Sequence, residues 1–231
     1  MKPSNFSTEY FKLALKLNKE YEEILLKNEM HYRGSLNSFS LISLSKERPE
    51  LGIKCNFKSY TQTNDLKSLI LADIEEINSK ENGRVTPEKE LQSWIIKYAL
   101  KNNGRLPFNE YIYFITSELA ILNKDGKKIV NDILGYNKKT NQLCIIELKS
   151  DRLLSRLIKQ VDSFEQIILD NDLFFKELLL INGISSKNSM KIKKVVVWSH
   201  STNSPKKELK DAGIAEFTYK PYFTFNDYSS F

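Results

Sequence analysis

Cysteine and histidine are the scarcest chemical resource of this chain, with two of each in 231 residues. Cys55 and Cys144 stand far apart, which argues against a disulfide framework and reads as reduced core thiols of a cytoplasmic protein. His31 and His200 are isolated, so no His/Cys zinc pattern is present. No apolar run reaches the ~20 residues that a membrane-spanning helix needs, and the N-terminus lacks an apolar leader core. No membrane partner is therefore expected. A glycine-rich phosphate loop, a Gly-x-Ser-x-Gly elbow and an internal repeat are also missing. A nucleotide-driven motor is excluded on that ground.

Charge of neither sign dominates. Lys and Arg number 35 against 29 Asp and Glu, a net charge of +6, which favours a polyanionic partner only mildly. Lys138, Lys139, Lys187, Lys191, Lys193 and Lys194 are candidate phosphate contacts, and each also reads as ordinary solvated surface. The aromatic residues fall mostly at core spacing and are not read as base-stacking platforms.

The richest stretch runs from Ile129 to Lys149. Two apolar, β-branched runs flank the polar turn Asn137-Lys138-Lys139-Thr140-Asn141, a hairpin signal. Asp132 sits in the first run, and Glu147-Leu148-Lys149 ends the second. Charged groups enter buried strands rarely unless paired or bound to a metal. Residues i and i+2 of a strand share a face, so Glu147 and Lys149 point the same way. With a loop of Lys138 to Asn141, Asn137 pairs with Gln142 and Asp132 lies opposite Glu147. With a loop one residue longer, Asn131 faces Glu147 and Asp132 turns away. The sequence leaves both registers open.

With Asp132 followed by Glu147-Leu148-Lys149, the chain resembles the PD-(D/E)XK nuclease superfamily, which includes restriction endonucleases and RecB-type exonucleases. Asn131 stands where that family often carries Pro. The resemblance implies that Asp132, Glu147 and the carbonyl of Leu148 bind Mg2+, with Mn2+ as a substitute. It implies that Lys149 orients or activates the attacking water. Hard carboxylate oxygens suit Mg2+, which polarises the phosphodiester and makes water more acidic. An ammonium group stabilises charge that develops on the phosphate. The tripeptide pattern alone is weak, since Asp65-Leu66-Lys67, Asp125-Gly126-Lys127 and Glu208-Leu209-Lys210 repeat it. None of those ends an apolar strand preceded by a second carboxylate strand.

Two flanking elements extend the resemblance. Thr86 to Ile96 reads as a helix start, with Thr86 as N-cap and Pro87 in the first turn. Leu91, Trp94, Ile95, Tyr98 and Ala99 form its buried face, and Asn103-Gly104 stops it. Glu88-x-x-Leu91-Gln92 looks like the acidic helix of the Shedu-type antiphage subset. Glu88 is the preferred match and Glu90 the second, and both also read as first-turn carboxylates that favour the helix dipole. After Lys149, Leu153, Leu154, Leu157, Ile158, Val161, Phe164 and Ile168 mark an amphipathic helix. On it, Gln160-Val161-Asp162-Ser163-Phe164 is similar to the Gln-x-x-x-Tyr pattern of RecB-like members, with Phe replacing Tyr. Gln160 is thereby a candidate site residue, and it reads equally as a solvated glutamine.

The expected fold class is α/β: a restriction endonuclease-like core, a mixed central sheet flanked by helices, with an α+β N-terminal extension. Pro107 to Leu122 reads as one long strand or two short ones. Leu173 to Ile181 reads as a helix crossing to the strand Lys194–Trp198. A helix begins at Ser204, and a last strand spans Ala215 to Phe225. Residues 1–85 are expected to hold a helix over Thr8–Met30 broken at Arg33-Gly34, strands near Ser38–Leu44 and Leu51–Tyr60, and a helix over Leu66–Ile77. The polar stretch Ser79–Arg84 is the expected boundary to a nuclease-like domain at 86–231.

The leading expectation is a metal-dependent deoxyribonuclease acting on DNA, with RNA not excluded, in restriction, repair or phage defence. A homo-oligomer such as a dimer is expected, since cutting both strands often pairs two sites. The alternatives are a nuclease fold that binds nucleic acid or a protein without cutting, and a structural module in which Glu147 and Lys149 are merely an ion pair.

Overall fold

A computed structural model of the chain describes residues 7–81, 85–123, 125–149, 154–185, 190–199, 207–220 and 224–227. The protein is mixed α/β and divides into two compact units, 5–97 and 98–231. The division falls inside the helix that follows the polar Ser79–Arg84 stretch. Among the described residues, no helix is long and apolar enough to cross a membrane. Lys187, His200, Ser204 and the side chain of Leu154 lie outside the described residues.

The N-terminal unit is a three-stranded antiparallel sheet covered by helices. Helices α1 (Glu9–Glu20) and α2 (Glu22–Lys27) replace the single helix expected over Thr8–Met30, with the break at Tyr21. Arg33-Gly34 does not sit in a break. Glu29 takes a left-handed φ of 54° and turns the chain into strand β1 (Met30–Gly34). β1 pairs with β2 (Phe39–Ser43), and β2 with β3 (Gly52–Cys55). The strand expected to reach Tyr60 ends at Cys55, because the side chain of Asn56 caps helix α3 (Phe57–Gln62) by accepting from Ser59 N. Helix α4 (Leu66–Ser79) is capped by Asp65. Leu17, Tyr32, Phe39, Leu41, Ile70 and Ile77 make up the centre of the core. A polar chain crosses it: the Tyr32 and Tyr60 hydroxyls lie 2.6 Å apart, and Tyr60 donates to Asp73 at 2.5 Å.

Helix α5 (Pro87–Lys101) starts with Thr86, whose carbonyl accepts from Glu90 N and whose hydroxyl accepts from Lys89 N at 3.4 Å. It ends at the left-handed Asn103-Gly104 pair. Leu91, Ile95 and Ala99 are buried as their spacing requires, whereas Tyr98 is exposed and corrects that part of the expected face.

The C-terminal unit is a seven-stranded mixed sheet in the order β10-β9-β8-β7-β6-β5-β4. Its strands are β4 (Arg105–Leu106), β5 (Asn109–Leu122), β6 (Lys128–Asn137), β7 (Gln142–Lys149), β8 (Lys191–Ser199), β9 (Ile214–Lys220) and β10 (Thr224–Asp227). β5 is one long strand. The final strand expected over Ala215–Phe225 is two, β9 and β10, paired antiparallel. Helices α6 (Leu154–Asp170) and α7 (Asp172–Ile181) carry the chain from β7 to its parallel neighbour β8, as a parallel pair requires. Helix α8 (Lys207–Asp211) precedes β9, also parallel to β8. β7 therefore lies mid-sheet, between antiparallel β6 and parallel β8, with α6 packed against it. Such a strand is buried on both faces and reads as a near-continuous apolar run. Leu143, Cys144, Ile145 and Ile146 obey that rule, and Glu147 breaks it.

Candidate functional site

The hairpin fixes its own loop. Asn137 Oδ1 accepts from Lys139 N at 2.9 Å and Thr140 N at 3.1 Å, and Asn141 closes the turn in the left-handed region. Asn137 then pairs with Gln142, and the ladder runs from there to Ile133 opposite Ile146. This is the shorter-loop register, and continuing it by one step brings Asp132 level with Glu147.

The backbone ladder does not take that step. Asn131 Nδ2 donates to Ile146 O at 3.1 Å, and Asp132 Oδ2 accepts from Leu148 N at 2.7 Å. Side chains of β6 thus satisfy backbone groups of β7 where strand–strand bonds end, as buried backbone polar groups demand. The shorter-loop register is the one formed, and Asn131 reaches β7 alongside Asp132 through its side chain. The neighbouring pair is irregular at the same level. β5 shifts register against β6 between Phe114 and Thr116, and Glu118 drops out between the pairs Ser117–Ile133 and Leu119–Asn131. Glu118 has a φ of 50°, a conformation that costs a non-glycine residue about 1–3 kcal/mol and tends to gather at functional sites.

Four of the expected residues converge here. Glu147 is fully buried. Its Oε2 accepts from Gln160 Nε2 at 2.7 Å, and Gln160 also donates to Val130 O at 3.1 Å. Gln160 is therefore not a solvated glutamine; it ties α6 to both strands. Lys149 Nζ lies 3.4 Å from Glu147 Oε2 and 3.8 Å from Asp132 Oδ2. Leu148 turns its buried side chain to the opposite face, as alternation requires.

Two carboxyls and one ammonium in so dry a place are electrostatically strained. Burial raises the Glu147 carboxyl well above the usual range, and the charge of Asp132 raises it further. Burial likewise pushes Asp132 up to about 6, against the opposing pull of Lys149 and the Leu148 N–H. The charge of Glu118 adds to the rise. Without another cation the pair favours holding a proton. Asn131, also fully buried, donates to Glu147 Oε1 at 3.4 Å, while its own Oδ1 has no partner among the described residues. The donor set is hard oxygen and suits a divalent cation of the Mg2+ kind. Among the described residues no three Cys, His, Asp or Glu side chains form a ready-made metal cage. The residues that could hold one are Asp132, Glu147 and the Leu148 carbonyl.

The remaining sequence candidates are described by the elements that carry them. Glu88 and Glu90 lie in the first turn of α5, half-buried, in the unit spanning 5–97. Phe164 is buried and packs on Phe175, so the position equivalent to the tyrosine serves the core. Lys194 pairs with Asp162 at 2.9 Å and Glu165 at 3.3 Å, an arrangement that corrects its reading as an open phosphate contact. Lys138 and Lys139 sit over the rings of Tyr113 and Tyr111 at the hairpin turn. Cys144 is a buried thiol whose pKa burial pushes up to about 12, an inert state. Sequence reading passed over Glu118, although a lone acid within the apolar run Ile112 to Ile121 is itself a signal. Asn131 entered the sequence reading as the residue facing Glu147 in the longer-loop register, and its bond to Ile146 O had no signal there. Comparison with protein-family models and with curated proteins finds no match to this chain.

Proposed function

We propose that this protein is a divalent-metal-dependent nuclease that hydrolyses DNA phosphodiester bonds, in keeping with the PD-(D/E)XK pattern of Asp132 and Glu147-Leu148-Lys149. The observation that carries the reading is the opened end of the β6–β7 ladder, where Asp132, Glu147, Lys149 and Gln160 meet. An ordinary buried ion pair would bring one acid to one base. Here one fully buried and one half-buried carboxyl face one lysine, an arrangement that a proton or a further cation relieves.

Asp132, Glu147 and the Leu148 carbonyl would hold Mg2+ or Mn2+. Bound there, the cation would supply Lewis acidity toward the phosphodiester and the attacking water. Lys149 lies beside both carboxylates, where its ammonium can hold that water or offset charge on the phosphate. Gln160 and Asn131 fix the orientation of Glu147, so its oxygens are placed before substrate arrives. Leu148 N fixes Asp132 in the same manner.

The test is cleavage of linear, supercoiled and single-stranded DNA by wild type and Glu147→Ala, with Mg2+, Mn2+ or EDTA. Cutting by wild type alone, and only with metal, is the expected result. The substrate preferred separates action at ends from action within the strand. Absence of both cleavage and calorimetric metal binding would sink the reading.

A further inference from the structure

We infer that Glu118 is a third carboxylate of this site, holding the water shell of a divalent cation together with Asp132. The inference rests on the cation-dependent reading of Asp132 and Glu147.

Its first support is register. Ser117 pairs with Ile133 and Leu119 with Asn131, so Glu118 is level with Asp132 although neither joins the ladder there. Neighbouring strands lie ~4.8 Å apart. Glu118, Asp132 and Glu147 therefore occupy one level across three adjacent strands, β5, β6 and β7. The second support is backbone. Glu118 is held at a φ of 50° and is only half-buried, so no core packing accounts for an acid in a conformation that glycine would adopt freely. The third is charge. Lys149 lies beside Asp132 and Glu147, two carboxyls to one ammonium, and Glu118 brings a further carboxyl to the same level. The fourth is independent of the acids. Asn131 is fully buried against Glu147 Oε1, and among the described residues its Oδ1 has no hydrogen-bond donor. Acceptors thus outnumber donors at this spot, and a cation with its waters would correct both the charge and the missing donors. Mg2+ keeps several waters and takes few carboxylates directly. An outer role for Glu118 agrees with the lack of a closed three-residue cage among the described residues.

The experiment is a calorimetric titration of the full chain with Mn2+ and Mg2+, for wild type, Glu118→Gln and Glu118→Gly, beside melting curves in EDTA. Wild type should bind, and both variants should bind about 10- to 100-fold more weakly, the usual loss for a residue that orients a metal shell. In EDTA, Glu118→Gly should melt no lower than wild type, because glycine relieves the left-handed backbone. Variants that titrate like wild type would overturn the role of Glu118 while leaving the two-carboxylate reading intact. A glycine variant that melts lower would mark Glu118 as a structural residue and overturn it too. Wild type that binds neither metal would remove both readings together.

Discussion

Asp132 shows how one side chain can serve the fold and oppose it. Its Oδ2 accepts from Leu148 N and closes the end of the hairpin, while its charge faces that of Glu147. An asparagine in its place keeps the acceptor for Leu148 N and offers Glu147 a donor. Asp132→Asn should therefore raise the melting temperature in EDTA near pH 7.5 by about 2–6 °C, equivalent to one or two kcal/mol in a chain of this size, and on the proposed function it should also abolish metal binding and cleavage. The pH dependence has a definite sign. The folded value of Asp132 is about 6 against an ordinary 3.8. The contribution of the protonated form is full below the ordinary value and lost as pH rises through about 6. The gain from Asp132→Asn should accordingly shrink toward pH 4, and a melting series across pH checks it. An equal gain at all pH values would deny the charge origin. At this scale the identities of Asp132, Glu147 and Lys149 were legible in the sequence, because charges inside apolar strands are conspicuous. Glu118 was equally exposed to that logic and was hidden only by the length of β5.

At the scale of the element, β6 is where fold and site meet. Gly135 lies in it beside the β5 irregularity, paired with Phe114 on one side and Cys144 on the other. A Cβ there would lie 2.9 Å from Ile112 Cγ2, 3.1 Å from Tyr113 O and 3.2 Å from Ile146 Cδ1. The neighbour at 3.1 Å is backbone and gives way only if β5 moves. Gly135→Ala should destabilise the protein by roughly 1–3 kcal/mol, the usual cost of overpacking, and chemical denaturation measures it. An unchanged midpoint would mean that the strands can part without loss. The helices and long strands were readable from periodicity, and α4, α7 and β7 fall where it puts them. β1 was missed because the alternation of Met30-His31-Tyr32-Arg33 is only four residues long and follows a helix directly. α3 was missed because Phe57 to Gln62 is too short for a helical period, and the Asn56 cap was its one mark.

Across the whole molecule, the two units answer pH in opposite directions. His31, in β1 of the N-terminal unit, is held near 3 against an ordinary 6.5, first by burial and then by the charge of Arg33. Its neutral form is the one that fits the fold. The associated stability is full above 6.5 and lost as pH falls toward 3. The carboxyl pair of the C-terminal unit gains over part of the same interval. Lowering pH from 7 to 5 should thus lower the protection factors of β1 and β2 amides and raise those of β6 and β7, as read by hydrogen-exchange mass spectrometry on peptides of each unit with each rate divided by the intrinsic rate at that pH. His31→Gln should flatten the first response alone. Parallel responses in both units would refute the assignment of the two groups.

Resemblance to a nuclease family singled out Asp132, Glu147, Lys149 and Gln160, and the sequence by itself determined the α/β class and the helical and strand periods. Those are local or near-local properties, set by side-chain type and by spacing of 2 or 3.6 residues. The tertiary structure alone decided the register of the hairpin, the ending of its ladder at Ile133–Ile146, and the place of Glu118 level with Asp132. Each depends on how three strands twist and pair, and a period of two cannot specify which residue of a neighbouring strand lies opposite. The division inside α5 is of the same kind, because a helix is continuous in sequence pattern even where the packing of its two ends differs.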